Sequence, residues 1–147
     1  MYIQKEELRK LILENTKGKW SAKSSFMTFS DNNFYLPSYE EFCNYIRANE
    51  SVLAPKTELS KTEGFDCEDY SFLLKGHVGL YNREVAKKEH SWAVGIIWAN
   101  FSWIEKFHAA NLLATSDKGL MLFEPQYGVN GFYQFTKCFG QICLLIV

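Results

Sequence analysis

The sequence predicts an α+β fold in one domain, with N-terminal helices followed by an antiparallel β-sheet. The chain has 147 residues, which is the usual length of one domain. Hydrophobic residues make up 47% and charged residues 22%, as in a globular chain. Apolar residues follow helical spacing early in the chain and form short continuous runs from about residue 92. We therefore expect a single domain over 1–147, with a helical part at 1–50 and a helix plus sheet at 60–147.

Two helices are predicted before residue 50. Residues 4–14 form the first, because their apolar side chains share one helical face at Leu8, Leu11 and Ile12. The second opens at Ser38, which forms a capping box with Glu41, and it ends at Asn49. Its apolar stripe consists of Tyr39, Phe42, Tyr45 and Ile46. Residues 50–65 are predicted to be a loop, since Lys and Glu alternate there between Pro55 and Gly64.

A third helix begins at Asp66, a favourable N-cap residue, with Cys67 in its first turn. Acidic residues follow directly, where the helix dipole favours negative charge, and Gly76 or Gly79 is predicted to end the helix. The later part of the chain predicts strands at 92–99, 107–115 and 119–124, with a hairpin turn at 116–119. Two further strands are candidates at 132–136 and 141–147.

Charge and hydropathy exclude several classes of partner. The net charge is -1, from 16 basic and 17 acidic residues, so no basic surplus favours nucleic acid. No apolar run reaches the ~18 residues that a membrane span needs, and no signal-peptide core is visible. We therefore expect a soluble protein, cytoplasmic or virion-associated. The four cysteines lack disulfide-scaffold or zinc-ribbon spacing, so they are predicted to be reduced thiols.

Cys67, His108 and Glu124 form a candidate catalytic set. A thiolate is stabilised at a helix N-terminus, an imidazole can exchange its proton, and a carboxylate can orient that imidazole. In the predicted hairpin, Glu124 is a direct or diagonal cross-strand neighbour of His108. His77 and His90 lie in polar surroundings and are predicted to be surface residues.

The segment Phe65-Asp66-Cys67-Glu68-Asp69-Tyr70-Ser71 resembles the nucleophile helix of papain-like and transglutaminase-like cysteine proteins. The strand with His108, and the following Leu122-Phe123-Glu124-Pro125-Gln126, resemble the histidine and acid strands of that superfamily. A glutamate in this context is most similar to the papain-like C-terminal domain of fungal agglutinin proteases and to small phage-type relatives. The resemblance covers about residues 60–128 and implies a papain-like (transglutaminase-like) domain, with the Cys-bearing helix packed on the sheet.

Two departures from that pattern concern the oxyanion and the third residue. Residues 59–64 contain no glutamine to serve as an oxyanion donor, and transglutaminases usually use aspartate where this chain has Glu124. The Cys67 amide supplies one donor. Trp92, Trp103 and Gln126 are the candidates for oxyanion or substrate contacts.

The resemblance implies a cysteine hydrolase that cleaves an amide or peptide bond through an acyl-enzyme. The alternatives are an inactive papain-fold interaction or virion-type structural protein, and a peptidoglycan-peptide amidase of NlpC/P60-like type. The expected partner is a protein or peptide substrate, with no nucleic acid and no membrane. No cofactor is required. Calcium at Asp66, Glu68 and Asp69 is a less favoured alternative to helix capping, and zinc lacks a fourth ligand.

Overall fold

A mixed β-sheet organises the chain in this computed structural model, which describes residues 1–20, 26–53, 66–101, 107–135 and 139–147. The strands in these ranges are β1 (Tyr2–Gln4), β2 (Phe26–Thr28), β3 (Asn33–Tyr35), β4 (Val94–Phe101), β5 (Phe107–Thr115), β6 (Gly119–Phe123), β7 (Phe132–Gln134) and β8 (Phe139–Ile146). Six of them form one sheet in the order β2-β8-β4-β5-β6-β7, and β1 pairs with β3 separately.

The prediction of a purely antiparallel sheet is wrong at one edge. The pairs from β8 through β7 are antiparallel, but β2 runs parallel to β8, with Phe26 opposite Leu144. Parallel neighbours require a crossover, and here most of the chain lies between the two strands. The C-terminal strand is confirmed near its predicted position, and Ile142 and Leu145 are fully buried.

The described helices are α1 (Lys5–Asn15), α2 (Tyr39–Ala48), α3 (Glu50–Leu53) and α4 (Cys67–Tyr81). The predicted caps form: the Glu41 amide donates to Ser38 Oγ at 3.0 Å at the start of α2. The short α3 lies in a segment predicted to be loop. The glycines predicted to end α4 lie inside it, and the helix continues to Tyr81. A π-helical turn, Asn82–Ala86, follows.

The sheet is covered on both faces. One face packs with α1 in a mainly aliphatic cluster that includes Leu8, Ile12, Ala110, Leu112, Leu122 and Leu145. The other face packs with α2 and α4 in an aromatic-rich cluster that includes Phe42, Tyr45, Leu74, Trp92, Leu113 and Phe123. Successive residues of β5 therefore enter different clusters, which explains why that strand reads as a continuous apolar run. No helix in the described ranges has the length and apolarity needed to cross a bilayer.

Candidate functional site

Cys67 is the first residue of α4, where the helix N-terminus favours negative charge. The Asp66 amide donates to Asp69 Oδ2 at 3.1 Å, so the acids flanking the cysteine form a capping box. The Cys67 side chain is half-buried and is not in a disulfide. Its thiol donates to Glu68 Oε2 at 3.4 Å, and the negative charge of Glu68 opposes a thiolate at that position. The helix cap and dipole thus favour a negative charge at the Cys67 position, whereas the charge of Glu68 disfavours it.

His108 lies near the start of β5, between the Cys67 thiol and the Glu124 carboxylate. Its side chain is 11% exposed, and its ring meets Phe101 edge-on with centroids 6.1 Å apart. Burial lowers the pKa of His108, but hydrogen bonds with Cys67 and Glu124 outweigh burial and raise the pKa from 6.5 to about 9. At neutral pH this ring therefore carries a positive charge.

Glu124 follows β6 and is 1% exposed. Its Oε2 accepts a hydrogen bond from His108 Nε2, and its Oε1 accepts from the Gln126 amide at 3.5 Å. The β5–β6 register places Asn111 opposite Phe123, so the next step makes Glu124 a diagonal neighbour of His108, as predicted. A buried carboxylate without a partner is costly, and the imidazolium supplies that partner.

A tight backbone contact fixes the segment after Glu124. The Glu124 amide donates to the Gly131 carbonyl at 2.8 Å, closing the loop formed by the 3-10 segment Pro125–Asn130. A Cβ atom on Gly131 would lie 2.1 Å from the Glu124 carbonyl oxygen, so a side chain cannot be accommodated there without a shift. Gly131 is thus a site-supporting residue that the sequence analysis missed.

His108 Nε2 is hydrogen-bonded to Glu124, and the same ring interacts with Cys67. A thiol and an imidazole in these positions share one proton, and when the ring holds it the imidazolium lies beside the sulfur anion. The buried carboxylate holds the ring in one orientation and stabilises its charge. The three residues together can therefore present a sulfur nucleophile with a proton donor beside it.

Two of the three candidates for oxyanion or substrate contacts lie in the described residues. Trp92 is 3% exposed and packs in the aromatic-rich cluster against Phe42, Tyr45 and Tyr81. Gln126 is exposed and contacts Glu124 through its backbone. Trp103 lies outside the described residues.

In the described part of the chain, one group of side chains could offer ligands to a metal ion. Asp66, Cys67 and Glu68 offer ligand atoms within 4.8 Å of one another. Asp66 and Asp69 already serve the helix cap, which explains these acids without an ion.

His77 corrects another prediction. It lies inside α4 rather than on a polar surface loop, is half-buried, and its Nδ1 lies 2.8 Å from the Tyr45 hydroxyl. His90 is also half-buried and meets the ring of Tyr2 at 5.2 Å. Neither residue contacts the Cys67–His108–Glu124 set through a described hydrogen bond.

Asn111 and Ser71 are two further residues near the site that the sequence analysis missed. Asn111 is fully buried on β5, and its side chain reaches the backbone of α4 at Ser71. One signal was available: a lone asparagine interrupts the apolar run 107–115.

Comparisons with known proteins identify two solved structures that share the fold of this chain. No protein-family model matches the sequence, and a search of curated proteins finds no match either. A solved complex of PSL1a with E64 matches 99% of this chain and 51% of its own, with a TM-score of 0.75 and 16% identity. The lectin of Polyporus squamosus, bound to the human-type influenza-binding epitope Neu5Acα2-6Galβ1-4GlcNAc, matches 99% and 49%, with a TM-score of 0.70 and 17% identity. The chain spans about half the length of these neighbours.

These neighbours correct the predicted family and fold class. They are lectin structures, so the papain-like (transglutaminase-like) recognition and fold are replaced by the fold shared with the Polyporus squamosus lectin. The physical reason lies in the motif around Cys67. A capped helix start with acids in its first turn is stabilised by the helix dipole in any fold, so that run of residues is weak evidence for one family.

The predicted activity and partners are corrected with the family. The cysteine hydrolase, its inactive papain-fold alternative and the peptidoglycan-peptide amidase all depended on that recognition, which the structural neighbours contradict. The predicted protein or peptide substrate also depended on that recognition and is corrected with it; the second neighbour was solved with a glycan. Neither neighbour's description names a metal or cofactor.

Proposed function

We propose that Cys67, His108 and Glu124 form a nucleophilic thiol centre that bonds covalently to an electrophilic ligand. The observation that carries this proposal is the position of His108, which is hydrogen-bonded to the buried Glu124 carboxylate and interacts with the Cys67 thiol. The centre is held on the fold of a lectin, and hydrolysis of a peptide bond is not part of the proposal. E64, the ligand of one neighbour, is the natural probe.

The reaction with E64 has a defined balance of atoms. E64 carries an epoxide, a three-membered ring that thiolates open. The Cys67 sulfur forms a C–S bond as one epoxide C–O bond breaks, and the freed oxygen takes a proton from the His108 imidazolium. Nothing leaves, so the adduct has the summed mass of the chain and one intact E64 molecule.

Intact-mass measurement followed by peptide mapping tests the thiol centre. We expect one E64 per chain, located on Cys67, and no adduct with the Cys67→Ser variant. Cys143 is a half-buried free thiol in the same chain and serves as the internal control. An unmodified protein, or an adduct on Cys143 at the same rate, would contradict the proposal.

Glycan binding is the second candidate, favoured by the likeness of 99% of this chain to a lectin solved with a sialylated glycan. Titration calorimetry with Neu5Acα2-6Galβ1-4GlcNAc, with Galβ1-4GlcNAc as the matched control, tests it. Binding should be unchanged by Cys67→Ser, because that substitution removes the nucleophile and not a glycan-binding surface. The absence of heat with either glycan at millimolar concentration would contradict this candidate.

A further inference from the structure

Asn111 ties the helix that carries Cys67 to the sheet that carries His108. Its side chain is fully buried, and Nδ2 donates to the Ser71 carbonyl on α4 and to the Gly95 carbonyl on β4, each at 3.0 Å. One amide group thus holds three elements together, because Asn111 itself belongs to β5. His108 lies three residues earlier on the same strand.

Ser71 continues the connection to the thiol. It lies one helical turn after Cys67, is fully buried, and its hydroxyl donates to the Cys67 carbonyl at 2.9 Å. A chain of hydrogen bonds therefore runs from Cys67 through Ser71 to Asn111. It joins the backbone of the nucleophile to the strand that carries its imidazole partner.

Burying Asn111 lowers the stability of the fold, so packing alone does not explain this residue. Its Oδ1 has no hydrogen-bond partner in the described part of the chain, and a buried unpaired oxygen destabilises a fold. A leucine of similar size would fill the same space without that unpaired atom. The apolar contacts of α4 are non-directional, whereas two amide hydrogen bonds fix its position along the sheet.

We propose that Asn111 is a positioning residue, which sets the separation of Cys67 and His108 by fixing α4 against β4 and β5. This inference rests on the proposed thiol centre and adds to it a residue that touches neither reacting atom. Without Asn111, α4 can shift along the sheet while its apolar face stays buried.

Asn111→Leu tests the inference, with Asn82→Leu as the matched control. Asn82 is also buried and donates to two backbone carbonyls, of Lys88 and His90, but at the far end of α4. Both variants should melt at a lower temperature. We compare them by the rate of E64 addition to Cys67 across pH, and by the NMR titration of the His108 ring, each measured equally far below the melting point.

Asn111→Leu should slow E64 addition ~10-fold or more, because a misplacement of about 1 Å can reduce a reaction ~100-fold. Its His108 should also titrate below the wild-type pKa of about 9, since the interaction with Cys67 is weakened while the hydrogen bond to Glu124 remains. Asn82→Leu should change neither. Equal effects of the two variants on both readouts would overturn the inference.

Asn111→Ala provides the same test if Asn111→Leu fails to fold. It removes both amide hydrogen bonds without adding bulk and should slow E64 addition by ~3-fold or more. An unchanged rate would overturn the inference. If the wild type forms no E64 adduct, the thiol centre fails, and the His108 titration still decides whether Asn111 positions the ring.

Discussion

His77 and His108 are both half-buried imidazoles, but their partners differ in kind. His77 shares a hydrogen bond with the Tyr45 hydroxyl inside an aromatic group that includes Tyr81 and Trp92. Burial raises the pKa of Tyr45, so its hydroxyl keeps its proton and offers a neutral partner. His108 instead meets a buried carboxylate and a thiol. A buried histidine thus gains a stabilised charge from its neighbours, not from burial, which acts against the charge.

Both histidine regions involve the same helix, α4, but at different positions along it. α4 carries Cys67 at its N-terminus, where amides and dipole favour an anion, and His77 ten residues later among aromatic side chains. The first region places a nucleophile beside a cation. The second places an imidazole against Tyr45, whose ring packs on Trp92, and both are structural contacts.

The largest difference between the regions should appear when each histidine is removed. His108→Ala should slow E64 addition to Cys67 ~100-fold or more, because the thiolate loses its ion-pair partner and its proton donor. His77→Ala should leave the rate within about twofold while lowering the melting temperature, since it removes a packing contact. The check is the second-order rate of adduct formation by mass spectrometry. Equal rates for the two variants would erase the distinction between the regions.

Gly131→Ala should have the next largest effect on the thiol centre. The new Cβ would lie 2.1 Å from the Glu124 carbonyl oxygen, so the Glu124 backbone must move and carry the carboxylate with it. We expect E64 addition to slow ~10–100-fold, as for other misplaced groups. Gly76→Ala is the control, because that helical glycine has open space and should be neutral or slightly stabilising. A variant that reacts at the wild-type rate would show that Glu124 does not depend on this close approach.

Glu124→Gln tests whether His108 differs from His77 because of the negative charge of its partner. The amide keeps a hydrogen bond to His108 but removes the carboxylate that stabilises the imidazolium. E64 addition should slow ~10-fold, and the pH profile of Cys67 alkylation should move upward. Tyr45→Phe removes the hydrogen bond of His77 and should leave this profile unchanged. A large loss of stability in Glu124→Gln with an unaltered profile would assign the carboxylate a structural role.

The smallest expected effect is on stability against pH. The pKa of His108 is raised from 6.5 to about 9 in the folded chain, so its contribution is complete below pH 6.5 and is lost as pH rises through 9. Urea unfolding of wild type should show a decrease on the order of 1 kcal/mol between these values that His108→Gln lacks. Parallel pH curves for both proteins would mean that His108 gains no charge stabilisation on folding.

Local signals in the sequence predicted much of the site. The Ser38 and Asp66 caps, the hairpin turn and the faces of β5 and β6 depend on residues a few positions apart, and they gave α2, the start of α4 and the diagonal relation of His108 and Glu124. The cysteine and imidazole were paired by chemical reasoning. What they act on could not be derived, because ligand specificity depends on surfaces that no local pattern describes.

Non-local features were missed for a physical reason. Strands β1, β2 and β3 have three residues each, too few to show an alternating pattern, and β2 is selected by pairing with β8 across more than a hundred residues. Asn111 acts through a contact with distant backbone at Ser71, and Gly131 acts through a close backbone approach to Glu124 that no sequence pattern marks. His77 was misplaced because the helix continues through two glycines that sequence rules treat as stops.

The NMR titration of the His108 ring tests the central claim most directly, because it reports the charge that Cys67 and Glu124 give to this imidazole. In wild type the ring should titrate with a pKa of about 9, and in Cys67→Ser and Glu124→Gln it should titrate closer to 6.5. His77 resonances should be unaffected by either substitution. A wild-type His108 that titrates near 6.5, unmoved by both substitutions, would contradict the coupled thiol centre.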